Sequence, residues 1–115
     1  MKEKFDIIYL FGHSPRMENQ LRQLNPIIKS QNAKGLTVGV VFIHNGVIGT
    51  SIRGEIPSEI KALTLTNNSL YLFVMIPDLK ARGISHEDVI GKIKPIEYNE
   101  LVDLLDQSNK IISWM

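Results

Sequence analysis

Leu70-Tyr71-Leu72-Phe73-Val74-Met75-Ile76 is an apolar run of strand length with no charged residue in it. A strand with one wet face alternates apolar and polar residues, so an unbroken run fits a strand covered on both sides, as in a parallel sheet. Phe5–Phe11 (F-D-I-I-Y-L-F) and Leu36–Ile43 (L-T-V-G-V-V-F-I) have the same character, rich in β-branched and aromatic side chains. Three such strands require layers of helix to cover them, and the segments between supply the helical spacing.

Met17, Leu21, Leu24 and Ile28 follow at four-, three- and four-residue intervals, one face of a helix. Ser14-Pro15 supplies its start, a capping serine followed by proline at the first helical position. Pro26 predicts an end near Leu24 or a kink there. After the second run, Asn45-Gly46 signals a turn. No long apolar strand follows it, which favours a strand-to-helix loop over a hairpin. Val47–Ile52 reads as a short helix and Arg53-Gly54 as a break. Pro57 opens another helix with Ile60, Leu63 and Leu65 inward, ending at Asn67-Asn68.

The last third reads as a polar turn at Pro77–Ile84, a short strand at Ile93–Ile96, a helix from Tyr98 and a final strand at Lys110–Trp114. Pro95 marks the Ile93–Ile96 strand as short or near an edge. Asn99 is the expected helix cap, with Glu100 in the first turn and Leu101, Val102, Leu104 and Leu105 inward. The sum is β-α-β-α-β, a turn, then β-α-β. That order predicts an α/β three-layer sandwich on a mostly parallel sheet of about five strands, with a flavodoxin-like strand order.

Composition narrows the function. At 115 residues the chain is expected to form one domain, spanning 1–115. A net charge of +1, with basic residues scattered rather than massed, gives no reason to expect direct nucleic-acid binding. No run approaches the roughly 18 apolar residues of a membrane span, and Met1–Lys4 leads straight into a strand, so a cytoplasmic, membrane-free protein is expected. The sequence contains no cysteine, which excludes disulfides, thiolate zinc sites and covalent persulfide on this polypeptide.

In an open parallel sheet the ligand crevice lies at the carboxyl ends of the strands. His13 and Ser14 follow the first strand, Asn45 and Gly46 the second, and Asp78 the third, which makes these five the candidate crevice residues. The competing reading is ordinary: Ser14 only a cap, His13 a solvated loop residue, Gly46 a turn glycine needing positive φ. A His13–Ser14–Asp78 triad is disfavoured because no Gly-x-Ser-x-Gly elbow is present and Pro15 lacks the N–H that an oxyanion would use. No carboxylate closes the first strand as a phospho-acceptor site would need, and neither G-x-G-x-x-G nor a P-loop occurs. His13, His44 and His86 have no metal-motif spacing, so neither a metal nor another cofactor is implied. Lys80 and Arg82, in the Lys80-Ala81-Arg82-Gly83 turn, form either a solvated loop or a basic docking patch. Trp114, the only tryptophan, is a core plug or an interface anchor. Apolar edge strands invite association, so an oligomer is expected.

Asp78-Leu79-Lys80-Ala81-Arg82-Gly83-Ile84, the Tyr98-led helix with Glu100-Leu101-Val102-Asp103-Leu104-Leu105, and Lys110-Ile111-Ile112-Ser113-Trp114 together resemble the DsrH/TusB family of small sulfur-relay subunits. Ser14-Pro15 and Asn45-Gly46-Val47 extend the likeness loosely along the chain. The resemblance implies a DsrEFH-like α/β fold and complexes with DsrE- and DsrF-like paralogues (TusD- and TusC-like). Such complexes pass persulfide sulfur toward tRNA 2-thiouridine or through sulfur oxidation. Carrier members use a cysteine near the first helix, and here there is none. The expectation is therefore a non-catalytic subunit that completes an interface. The alternative is a stand-alone homo-oligomer binding a small anion or nucleotide at the strand-end crevice. An enzyme working through His13 ranks behind both.

Overall fold

The computed structural model describes residues 4–14, 18–54, 56–66 and 69–115. Five strands, β1 (Ile7–Phe11), β2 (Val38–Phe42), β3 (Leu70–Met75), β4 (Ile93–Ile96) and β5 (Ile111–Trp114), form one sheet in which every pairing is parallel. The three apolar runs of the sequence become β1, β2 and β3, the interior strands. Their order is β4-β3-β2-β1-β5. The class is the expected one, but the strand order departs from the flavodoxin arrangement 2-1-3-4-5. Here the chain steps steadily from β1 to β4 and then crosses the whole sheet to place β5 beside β1.

Right-handed crossovers dictate where the helices go. The three steps in one direction carry α1 (Glu18–Ala33), α2 (Ser58–Thr64) and α3 (Ile76–Ala81) to one face, and the single return step carries α4 (Tyr98–Asp106) to the other. The core divides accordingly. Tyr9, Phe11, Val40, Phe42, Leu72 and Val74 meet Leu21, Leu24 and Ile28 of α1, Ile60 and Leu63 of α2 and Leu79 of α3. On the opposite face Phe5, Ile8, Val41, Phe73, Met75 and Ile96 meet Leu104, with Leu101 and Leu105 partly buried beside it. Gly39 of β2 lies under the ring of Phe5, and a Cβ there would stand 3.2 Å from it.

Several local expectations are corrected. Helix α1 continues through Pro26 to Ala33 instead of stopping. The Pro77–Ala81 part of the supposed turn is helical, with Pro77 in its first turn, where a missing N–H costs nothing. Residues His44–Thr50, expected as a short helix from Val47, form a 3-10 segment that starts directly after β2. Glu97, not Asn99, caps α4, through a reciprocal capping box in which the Glu97 N–H donates to the Glu100 carboxylate at 3.0 Å. Val102 and Leu65 point outward, 62% and 78% exposed. Pro95 does sit on an edge strand. The Ser14-Pro15 helix start, Met17 and the Asn67-Asn68 helix end involve positions outside the described residues.

Candidate functional site

The carboxyl ends of β1 and β2 are drawn together by backbone bonds. Ile43 N–H donates to the Phe11 carbonyl at 2.9 Å, and Gly46 N–H donates to Ile43 at 2.8 Å, starting the 3-10 segment. Gly46 is required for space. A Cβ there would stand 2.5 Å from the Phe11 carbonyl oxygen, inside any allowed contact. The positive φ expected of Gly46 falls two residues earlier: His44 has φ 51° and alone among the described non-glycine residues lies in that region. Gly83, just past α3, also lies in that region, with φ 69°.

This backbone geometry is held by side chains from α3. The Asp78 carboxylate accepts from the His44 N–H at 2.8 Å. Arg82, just past the end of α3, donates from Nε and Nη2 to Asn45 Oδ1 at 3.2 and 3.0 Å. Its Nη1 donates to the Asp78 carbonyl at 3.0 Å. Two of the residues expected here, Asn45 and Asp78, therefore form one network with His44 and Arg82. Sequence reading assigned Arg82 to a separate interface and missed His44. Nothing in the sequence marks His44, because its positive φ is visible only in the structure. Lys80 is exposed on α3.

The β1 end is arranged differently. The His13 ring packs edge-on against Phe11 with centroids 5.7 Å apart, and Ser14 is partly buried behind it. On α3, Asp78 Oδ2 is taken by the His44 N–H. Gly12 N–H donates to the Trp114 carbonyl at 3.2 Å, and Met115 lies over Gly12 with Cγ at 3.1 Å from where a Cβ would be. Trp114 is partly buried on the three-helix face and donates from Nε1 to Gln20 Oε1 of α1 at 3.2 Å. What the arrangement offers chemically is a guanidinium held at the strand ends by neutral acceptors, without a carboxylate ion-pair partner among the described residues.

A cleft of about 280 Å³ lies elsewhere, between α4 and the β3–β4 side of the sheet. Phe73, Lys94, Ile96, Glu100, Asp103, Leu104 and Gln107 line it. Among the described residues no group of three or more His, Asp, Glu or Cys could hold a metal ion, and no helix is long and apolar enough to cross a membrane.

A five-stranded parallel sheet in the order 4-3-2-1-5, with three helices on one face and one on the other, defines the class: a three-layer α/β protein of DsrEFH type. The chain belongs to the DsrH-like protein family, whose model matches residues 13–111, and that family is one of sulfur-relay proteins. Solved structures agree on the fold. The YchN protein from E. coli is similar at TM-score 0.75 and 18% identity, over 95% of this chain and 98% of that one. Protein MTH1491 of unknown function from Methanobacterium thermoautotrophicum is similar at TM-score 0.69 and 13% identity, over 94% and 99%. No curated protein sequence matches the chain.

Proposed function

We propose that this chain is a non-catalytic subunit of a sulfur-relay assembly, serving tRNA 2-thiouridine formation or sulfur oxidation beside cysteine-bearing DsrE- or DsrF-like paralogues. The observation that carries the reading is the absence of cysteine from a member of a family whose relay runs through persulfide. The strand-end network supports it. Asn45, Asp78 and Arg82 hold the turn after β2 against α3, which keeps a fixed surface at the strand ends for a neighbour to meet. His13, Ser14, Lys80 and Trp114 stand around that surface as candidate contacts for a neighbour.

The test is purification of the protein from its own cells under mild conditions, with bound partners identified by mass spectrometry. A small cysteine-bearing α/β paralogue in stoichiometric amount is the expected result. In parallel, the isolated chain is exposed to a persulfide donor and assayed by cyanolysis, and it should retain no sulfur. Recovery without any paralogue, or sulfur retained by the chain itself, overturns the proposal.

A second reading rests on Arg82. Two of its five N–H groups have no acceptor among the described residues, so a small anion at the strand ends would find a held cation. Saturable binding of sulfate or phosphate, abolished by Arg82→Gln, would favour that reading.

A further inference from the structure

The sheet has two edges, and they are finished in opposite ways. Edge strand β4 (Ile93-Lys94-Pro95-Ile96) carries a proline without an N–H and an exposed lysine, both of which discourage pairing with another strand. Beside it, the flank of α4 is charged: Lys94, Glu100 and Asp103 share the cleft there. Edge strand β5 (Ile111-Ile112-Ser113-Trp114) has neither device.

Its free backbone groups can be identified. Ile8 N–H donates to the Lys110 carbonyl at 2.9 Å and Gly12 N–H to the Trp114 carbonyl at 3.2 Å, so the even-numbered residues of β5 address β1. By the two-residue period of a strand, the N–H and C=O groups of Ile111 and Ser113 point away from the sheet. No strand pairs with that side among the described residues.

The flanks above and below this edge match it. Gln20 of α1 reaches Trp114 and Gln31 reaches Tyr9. At 100° per residue, Gln23 and Ile27 belong to that same flank, and Ile27 is 41% exposed. Arg22 and Asn25, which meet Glu59 of α2, belong to the other. On the single-helix face, Glu100, Asp103 and Gln107 turn α4 toward β4. The opposite flank of that helix, with Leu105 partly buried and Tyr98 exposed, therefore looks toward β5, where Ile111 and Met115 are also exposed.

We infer that β5 is a self-pairing edge: two copies of this chain join antiparallel, β5 to β5, into one continuous sheet. The sequence of the strand is what selects a second copy. A two-fold axis through Ile112, perpendicular to the sheet, sets Ile111 opposite Ser113 of the other copy and Ser113 opposite Ile111. All outward groups of the strand are then used, in four hydrogen bonds. Ile112 meets Ile112 on the three-helix face. Lys110 falls opposite Trp114 on the same face, where an ammonium over an indole is favourable. The inference does not depend on a role in sulfur relay, since it concerns the purified chain alone.

The absence of cysteine makes the test clean. In the unbonded pair of an antiparallel ladder the Cα atoms lie about 4.5 Å apart, within disulfide reach. Ile112→Cys should therefore give a dimer on a non-reducing gel after mild oxidation, and Lys94→Cys on the other edge should not. Analytical ultracentrifugation of the unaltered chain should give twice 13.0 kDa. Ser113→Pro removes one outward donor per copy without touching the β1 bonds. It should raise the dissociation constant about a hundredfold, tenfold for each lost bond. Amide exchange of Ile111 and Ser113 in the unaltered protein, slow at high concentration and fast on dilution, reports the same pairing should a variant fail to fold. A monomer at all concentrations, or a dimer indifferent to Ser113→Pro with Ile111 and Ser113 amides exchanging freely, overturns the inference.

Discussion

The face of the sheet that carries three helices and the face that carries one are built from the same strands, residue by residue in alternation, yet they are closed to different degrees. On the three-helix face Tyr9, Val38, Val40, Phe42 and Val74 are all within 1% of full burial, and Leu24 and Leu63 above them are fully covered. On the other face a nine-residue helix must serve five strands, and it covers the middle while leaving Leu10 half-buried and Ile111 46% exposed. One face is a core by itself; the other is finished only in part. The difference follows from topology, because three crossovers in one direction and one in return place their helices unequally.

The comparison can be broken by truncation on each face. Leu24→Ala should cost about 3–4 kcal/mol, because a fully buried site in a rigid layer leaves its cavity open. Leu105→Ala, on the half-covered side, should cost only about 1 kcal/mol, since water already reaches the gap. Urea unfolding of both variants reads the contrast, and equal losses would mean that α4 closes its face as tightly as the other three helices do. Gly46→Ala comes next. The 2.5 Å approach to the Phe11 carbonyl forces β1 and β2 apart at their ends, at about 2–3 kcal/mol. A silent Gly46→Ala would mean that the strand ends give way easily.

Smaller changes sharpen the picture. Glu97→Ala removes one half of the capping box on α4 and should lower stability by about 1 kcal/mol. Near neutral pH the smallest effect is that of Tyr9, whose hydroxyl is buried under α1 and donates to Gln31 at 2.8 Å. Burial pushes its pKa up, against an opposing pull from the Gln31 bond. The folded state thus prefers the protonated phenol. Its contribution is fully present below the ordinary value of 10.0 and is lost as pH rises through the raised one. Tyr9→Phe should flatten the alkaline limb of the stability–pH curve and leave the rest unchanged. An unaltered limb would mean that the ring is wetted before it ionises.

The three-helix face was the legible one. Unbroken apolar runs reveal strands that are wet on neither side, and the Leu21-Leu24-Ile28 stripe reveals the helix that covers them. Strand order was not legible, because right-handed crossovers permit both 2-1-3-4-5 and 4-3-2-1-5. Helix α3 escaped notice because only Leu79 of its six residues is buried, too little to establish a period. Apolarity alone suggests an inward Val102, although it lies 200° around the helix from Leu104. At the strand ends, position alone marks Asn45 and Asp78 as candidates. Their joining through Arg82 depends on α3 and could not be seen without it.

One consequence of the strand order concerns time. Ile8 and Ile111 are neighbours in the sheet, yet almost the whole chain separates them. Strands β1 to β4 can assemble step by step as each crossover forms, whereas β5 must search back across the finished sheet, the slowest kind of closure. Contacts of β5 should then be absent from the folding transition state, and mutations there should speed unfolding while leaving the folding rate alone. Until that docking occurs β1 is itself a bare margin, so the vulnerable species on the way to the native state is a four-stranded one lacking its seal.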